Sequence, residues 1–503
     1  MKRSSRRRPG TTSPWSSRAD AISDIEMPQN ILAPPVLEDS LAPIETLRRV
    51  EVFLSALAAL PKKSWRARID PRGIKVEGPG LTRAARLYEI LEVPGAGQSV
   101  VHVVGTSGKG STALMMAQSL LASGKRTAAF FSPHLTSIIE RFWVRGRYAE
   151  AGLIGRCAKE LAEAAAQMAG EPEFGPPSFF ESTLALLLLM AREEECEYLV
   201  LEAGLGGAFD ATNAVGPAVL DVITSIGLDH TDLLGDSIAQ IARDKAGIIT
   251  ERGRVISQIV SPDARAEIER VASGREAGLF APPRVENLDL RPDGAFFDLG
   301  FDDGVRWEGF STAMPGVHQA ENAGLAAGAG RLLGLGEQEI RWGVASARLP
   351  CRMELVQSGP LVLLDGAHNR DKAQALVEGV SGWAFERLVF VLGAVNDKDF
   401  AGMAEVFAPV GDRFFTTLPP ASAPRPGLAP DVFARALEEA GACGVETRID
   451  AWGALDQALE EAEENDLVII TGSMFLAGEL RRRWVSEERI VESGSAFPPE
   501  ALP

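Results

Sequence analysis

The chain has 503 residues, 46% of them hydrophobic and 24% charged, enough for two or three domains that each bury a core, and disorder throughout is excluded. Aspartate plus glutamate (69) outnumber lysine plus arginine (51), a formal net charge of −18; residues 1–18 hold six basic residues and no acid, so the remainder carries −24. A body this acidic is excluded from holding nucleic acid by bulk electrostatics.

Cys157, Cys196, Cys351 and Cys443 form no C-x-x-C pair, so neither a zinc knuckle nor a disulfide framework is indicated, and a reducing, cytoplasmic compartment is expected. The longest apolar run, Thr183–Ala191, is about half of the ~20 residues needed to cross a bilayer. It reads as a buried helix, and no membrane partner is expected.

Residues 1–41, with MKRSSRRRPG at the start and Pro34-Pro35 near the end, lack apolar periodicity and read as a disordered basic and Pro-rich arm. The acid-free start is compatible with a transit peptide, but it has neither the amphipathic period of one nor the apolar stretch of a secretory signal. A dispensable arm is expected.

From about Ala42 the pattern is α/β. The run Ser99–Val104 precedes a Gly-rich turn, a helical stretch Ser111–Ala122 and a second run Thr127–Phe131. A helix near Ser182–Glu193 and strands Tyr198–Ala203 and Val219–Ile226 follow. Short apolar runs alternating with helices predict a parallel sheet covered on both faces. Residues 285–312 instead alternate around Pro292-Asp293-Gly294 and Asp302-Asp303-Gly304, which predicts antiparallel hairpins. After a helix at Ala320–Leu333, strands at Leu361–Asp365, Leu388–Gly393, Phe414–Leu418, Val445–Ile449 and Leu467–Gly472 predict a smaller doubly wound domain. The expected organisation is a phosphate-loop, three-layer N-terminal domain over 42–345, a Rossmann-like C-terminal domain over 346–486 and a loose tail over 487–503.

The segment VVHVVGTSGKGST sets a Gly-rich turn between a strand and a helix. Backbone N–H groups and the positive end of the helix dipole then point at one spot, an anion site. Gly105, Thr106, Ser107, Gly108, Lys109, Gly110, Ser111 and Thr112 are the expected nucleotide cradle, with Lys109 reaching the terminal phosphates and the Ser111 hydroxyl meeting Mg²⁺. The strict G-x-x-x-x-G-K-[ST] spacing fails, because Val103 precedes and Gly110 separates Lys109 from Ser111. An ordinary helix-capping turn is the alternative; the flanking strand and helix favour phosphate.

FFSPHL (130–135), LEAGLGGAFDATN (201–213), TSIGLDHTDLLGDSIAQIARDKAGII (224–249), HQAENA (318–323), CRMELV (351–356), LLDGAHN (363–369), LGAVNDKD (392–399) and TGSMFLAGE (471–479) together resemble the dihydrofolate synthase/folylpolyglutamate synthase family of the Mur ligase superfamily. The resemblance runs in unbroken order over about residues 45–485. Some of these residues fit such chemistry on position alone. Glu202 ends an apolar strand at the carboxyl edge of a parallel sheet, and Asp229-His230 follow another. Lys245, taken alone, reads as a solvated helix lysine.

The resemblance implies more. Ser111, Ser132 and Glu202 would hold one Mg²⁺, and His230 a second together with Lys245 carbamylated by CO₂. Asn322 would contact adenine, Arg352 the ATP phosphates and Asp365 the ribose hydroxyls. Arg141, His368 and Ser473 would contact incoming glutamate, and Asp210 and Ala211 the pterin; for Arg141, Asp210 and Ser473 a solvated or capping role is the alternative. Lys109, His230, Lys245 and Arg352 are the expected catalytic residues of an ATP-dependent amide ligase that joins L-glutamate to a folate-type carboxylate through an acyl phosphate. A monomer is implied.

Four positions depart from the usual family pattern: Ala208 for arginine, Cys351 for glycine, Ile139 for asparagine and Arg370 for proline. They concern the acceptor, dihydropteroate or a reduced folate polyglutamate. The rivals are another superfamily ligase with a different acceptor and a non-catalytic nucleotide binder. Of the five histidines, His102 is expected in the core, and His134, His230, His318 and His368 near the site.

Overall fold

The structure is a computed structural model that describes residues 41–60, 68–69, 75–77, 79–95, 97–258, 261–420 and 425–499. The expected arm over 1–41 lies outside the described residues except for Leu41.

After a helix Pro43–Ala59, a short hairpin of β1 (Arg68–Ile69) and β2 (Lys75–Glu77) and a helix Pro79–Leu91, the main sheet begins. It contains β3 (Ser99–Val104), β4 (Thr127–Phe130), β5 (Phe142–Val144), β6 (Arg147–Tyr148), β7 (Tyr198–Glu202), β8 (Leu220–Ile223), β9 (Arg254–Ser257) and β10 (Gly278–Phe280). The order is β10-β9-β8-β3-β7-β4-β5-β6. Six strands run parallel, as the apolar runs predict. The edge departs: β5 is antiparallel to β4, and β6 pairs back on β5 across Arg145-Gly146, both at positive φ. That two-residue turn matches the twist of the strands it joins. These strands are too short for a periodic signal.

The helix Lys109–Ala122 lies between the sheet and the helices Val317–Leu332 and Glu337–Ser346. On the opposite side Phe179–Glu193 packs against β4. Its run Thr183–Ala191 is buried throughout, as expected, and Ser178 and Glu181 form a capping box at its start. No helix among the described residues is long and apolar enough to cross a membrane. β11 (Arg284–Arg291), β12 (Gly294–Gly300) and β13 (Arg306–Thr312) make the expected antiparallel sheet, turning at the two Asp-Gly sites.

The second sheet has the order β14-β15-β19-β16-β17-β18, from β14 (Glu354–Ser358), β15 (Leu361–Leu364), β16 (Leu388–Leu392), β17 (Arg413–Thr416), β18 (Val445–Thr447) and β19 (Leu467–Thr471). All but the edge strand β14 run parallel. Apolar clusters fill both faces of this sheet.

The expected loose tail is a correction. Residues Glu487–Ser493 form a helix; Ile490 and Ala496 are buried in the core of the first sheet, and Tyr148 N–H donates to Gly494 C=O. Arg481, itself fully buried, donates to Ala496 C=O. Seven helical residues give too little sequence for periodicity, and what anchors them is surface from the first domain.

Candidate active site

The order β8-β3-β7 puts the chain's reversal of direction at β3, so a crevice opens beyond its carboxyl end. The Gly-rich turn occupies that crevice. Gly108 caps the helix at φ 84° in the left-handed region, which glycine alone adopts without strain. A Cβ there would lie 2.2 Å from Asn322 Oδ1, so close packing on Asn322 also demands glycine. The turn is strapped to the segment after β8. Thr106 Oγ1 donates to Gly227 C=O at 3.0 Å, and Thr224 Oγ1 donates to Ser107 C=O at 2.6 Å. Thr106, Ser107 and Gly110 are partly exposed, while Ser111 and Thr112 are buried behind them.

Two lysines converge on one carbonyl. Lys109 Nζ donates to Gly105 C=O at 3.2 Å, and Lys245 Nζ donates to the same oxygen at 2.9 Å. Lys245 sits near the end of the helix Ile238–Ala246, which Ser237 caps through Gln240 N–H. The solvated-lysine reading fails: Lys245 is 3% exposed. Burial, with the Lys109 charge adding to it, lowers its pKa to about 7.

Glu202, at the end of β7, is 6% exposed and accepts from Ser132 N–H at 2.9 Å. Burial raises its carboxyl pKa against the pull of Lys109. A Cβ on Gly110 would lie 3.3 Å from its Oε2, so this carboxylate abuts the first turn of the phosphate-loop helix. Across the cleft stands Arg352, with Gly110, Ser132, Glu202 and Met474 lining the same cavity. Its guanidinium has no hydrogen-bond or ion-pair partner among the described residues. His230 follows β8 in the left-handed conformation and is partly exposed; burial lowers its pKa. Beside it Asp229 accepts from Lys398 Nζ of the second sheet's loops at 3.0 Å, a pair joining the two halves.

Among the described residues no three His, Cys, Asp or Glu side chains gather as a metal cage. The hydroxyls of Ser111 and Ser132 and the Glu202 carboxylate are nevertheless hard oxygen donors. They fit Mg²⁺, which is commonly held by one or two carboxylates together with substrate phosphates.

The other expected residues divide. Arg141 is buried, donates from Nε to His134 Nδ1 at 2.8 Å, lies over Phe179 and has a buried Nη1 without a hydrogen-bond partner. Asp210 caps: it accepts from Thr212 N–H and Oγ1 and from Leu205 N–H, with Ala211 buried at the start of the 3-10 turn it caps. Because Thr212 gives its hydroxyl proton to Asp210, His102 Nε2 must donate to Thr212 Oγ1, at 2.7 Å. His102 is therefore the expected core histidine, neutral, its pKa lowered by burial to about 4. Ser473 also caps, accepting from Phe475 N–H. Asn322 lies one turn into its helix. Asp365 accepts from Met353 and Ala367 N–H, pinning the Arg352 turn to the β15 loop.

His368 has both ring nitrogens engaged, Nδ1 with Gly366 C=O at 2.8 Å and Nε2 with Lys372 Nζ at 2.9 Å. Sequence reasoning missed Lys372 and the Asp229–Lys398 pair. A lysine in the first turn of a helix, against the dipole, was the available signal for Lys372. Of the departures, Ile139 is core, Arg370 pairs with Glu405 on the surface, and Ala208 lies against Gly247. Cys351 holds φ 54°, where glycine is unstrained.

Residues 351–474 match the family model described as Mur ligase, glutamate ligase domain. The dihydrofolate synthase/folylpolyglutamate synthase of Bacillus subtilis is 32% identical over 421 residues, covering 80% of this chain and 95% of that protein. A Halobacterium salinarum protein described as a "Probable bifunctional folylpolyglutamate synthase/dihydropteroate synthase" is 33% identical over 81% of this chain, which spans about half (49%) of that relative's length. A Mycobacterium tuberculosis folylpolyglutamate synthase complexed with ADP and AMPPCP superposes with a TM-score of 0.77 at 28% identity, over 89% of this chain and all of that one. The E. coli FolC in complex with DHPP and ADP gives 0.73 at 26%, over 89% and 99%. With this arrangement of phosphate loop, buried carboxylate and opposed arginine, the chain belongs to the dihydrofolate synthase/folylpolyglutamate synthase family.

Proposed function

We propose that the protein is an ATP-dependent ligase that joins L-glutamate to a folate-type carboxylate, dihydropteroate or a tetrahydrofolate polyglutamate, releasing ADP and phosphate. The observation that carries this reading is the cluster at β3: Lys109 and Lys245 on one carbonyl, Glu202 against the same loop, and the unpartnered Arg352 across the cleft.

A carboxylate resists amines because its leaving group would be oxide. Transfer of the γ-phosphoryl group makes an acyl phosphate; the amino group of glutamate attacks the acyl carbon, and phosphate departs. In this reading residues 105–112 cradle the ATP phosphates through backbone N–H groups, with Asn322 near the adenine and Asp365 near the ribose. Lys109 and Arg352 bring positive charge to the transferring group from opposite walls, and the cleft limits the access of water to the acyl phosphate. Ser111, Ser132 and Glu202 would hold one Mg²⁺, and His230 with Lys245 a second; bound there, these ions supply neutralisation of phosphate charge. Lys245 suits the carbamate role because a neutral buried amine can add to CO₂ with loss of a proton. Arg141, with its unsatisfied buried donor, and Ser473 serve the glutamate side, and the Asp210–Ala211 turn the pterin.

A monomer is the reading that the family resemblance supports. Four free cysteines, three of them buried, suit a reducing cytoplasm. The test is ADP release with dihydropteroate or tetrahydrofolate plus L-glutamate, with mass analysis of the product. A product one glutamyl residue heavier is expected. ATP binding without turnover on any pteroate-type acceptor would overturn the reading.

A further inference from the structure

Arg352 stands between two side-chain-bearing residues in the left-handed region, Cys351 at φ 54° and Met353 at φ 48°. A Cβ is crowded there, so neither residue adopts that backbone by preference. Both side chains are buried, that of Cys351 completely. Cys351 occupies the position where the family pattern has glycine, which enters this region without strain.

The Arg352 guanidinium has no hydrogen-bond or ion-pair partner among the described residues, so its direction into the cleft is set by the backbone that carries it. Three hydrogen bonds hold that backbone. Glu354 Oε2 accepts from Cys351 N–H at 2.8 Å, Asp365 Oδ2 accepts from Met353 N–H at 3.0 Å, and Cys351 C=O accepts from Gly366 N–H at 3.0 Å. The last two come from the loop after β15. Glu354, the first residue of β14, is held from elsewhere.

Arg481 ends the helix Met474–Arg481; its Nε donates to Glu354 Oε2 at 2.8 Å, and its Nη2 pairs with Glu354 Oε1 at 2.8 Å. Both partners are buried, the arginine fully. Arg481 also donates to Ala496 C=O, and the segment carrying Ala496 is fixed on the first sheet, where Tyr148 N–H donates to Gly494 C=O. A continuous set of contacts therefore runs from the edge strand β6, through the C-terminal segment and Arg481, to the carboxylate that holds the turn of Arg352. A buried ion pair adds little net stability, because desolvation offsets its attraction. What this pair supplies is a fixed, charged acceptor for Cys351 N–H, and such a bond is roughly twice as strong as one between neutral groups.

We propose that Glu354 and Arg481 are positioning residues that keep Arg352 aimed at the transferring phosphoryl group by holding Cys351 in its left-handed conformation. The cysteine makes this chain depend on the pair more than glycine would. The assignment rests on the ligase reading above, in which Arg352 opposes Lys109.

The test is steady-state ADP release by the full chain carrying Glu354→Leu and Arg481→Met together, which removes the acceptor without leaving a buried charge unpaired. Misplacing the arginine should lower kcat about 10- to 100-fold. In an Arg352→Met background the same two changes should alter kcat by less than about twofold, since no guanidinium is left to misplace. Adding Cys351→Gly to the doubly altered chain should restore kcat by at least about fivefold, because the strain of one left-handed residue corresponds to a factor of roughly 5 to 30. An unchanged kcat in the doubly altered chain overturns the proposal. So does an equal loss in the Arg352→Met background, which would make the pair merely structural, or the absence of recovery with Cys351→Gly. Should the doubly altered chain fail to fold, Glu354→Gln keeps the volume, weakens the bond to Cys351 N–H and should lower kcat about 3- to 10-fold, judged in the same two backgrounds. If the unaltered chain releases no ADP with dihydropteroate or tetrahydrofolate plus L-glutamate, the ligase reading falls and this assignment with it. If it does and the altered chain keeps its kcat, the assignment falls alone.

Discussion

Replacing Lys245 by methionine should abolish ligation and at the same time stabilise the folded chain, with a pH dependence set by the buried ammonium. The folded-state pKa of about 7 lies well below the ordinary 10.5. Between these values the unfolded chain binds more protons than the native one, so stability rises with pH through that window and the lysine is most damaging below pH 7. The lysine costs about 4 to 5 kcal/mol at pH 6.5 and about 2 kcal/mol at pH 9, at about 1.4 kcal/mol per decade of proton affinity. The hydrogen bond to Gly105 C=O offsets about 1 to 2 kcal/mol of this. Methionine fills similar volume without charge, so Lys245→Met should gain about 3 kcal/mol at pH 6.5 and about 1 kcal/mol or less at pH 9. Urea unfolding in CO₂-free buffer at the two pH values measures both. ADP release should meanwhile fall by about 100-fold or more, and ¹³C-bicarbonate should label the unaltered chain with a carbamate resonance that the variant lacks. A variant no more stable at pH 6.5, or one whose gain does not shrink at pH 9, would refute the description of Lys245 as a desolvated amine.

Glu202→Gln keeps the shape but removes a buried negative charge beside Lys109, and should cost about 100-fold in kcat/KM and raise the Mg²⁺ concentration needed; activity insensitive to this change or to EDTA would remove Glu202 from the metal site. Gly108→Ala drives a Cβ to within 2.2 Å of Asn322 Oδ1 in a left-handed backbone, so ADP affinity measured by calorimetry should fall by at least about tenfold, with a stability loss of about 1 to 2 kcal/mol. A double-mutant cycle of Asp229→Asn with Lys398→Met should show a coupling in stability of about 1 kcal/mol that weakens with salt; a coupling near zero would mean the pair does not tie the two halves together. Cys351→Gly discards a fully buried side chain but relieves φ 54°, so the two effects should cancel to within about 1 kcal/mol in urea unfolding.

The long, locally encoded features were legible. The six residues of β3 were read at their observed bounds, and the helix that follows begins only two residues before the expected Ser111. The Asp-Gly turns of 284–312 announced their antiparallel sheet. The two-strand hairpin β5–β6 and the helix Glu487–Ser493 were not legible, since each is shorter than the window in which a period can be recognised. Asp210 and Ser473 illustrate a different limit. An Asp or Ser before a helical stretch caps it with the same atoms that a ligand contact would use, so residue type does not separate the two roles, and the hydrogen bonds display the caps.

The amino-acid sequence by itself determined the class of the fold and the presence of a nucleotide loop, because strand and helix periods, glycine spacing and caps act between residues a few positions apart. Tertiary structure alone decided the electrostatics of the site. Lys245 meets Gly105 across 140 residues, Lys398 meets Asp229 across 169, and Lys372 comes among Arg352, Lys109 and Lys398 and the carboxylates of Asp229 and Asp365. Desolvation and charge–charge interaction depend on what stands within a few ångströms in space, and that neighbourhood exists only once the two sheets have come together.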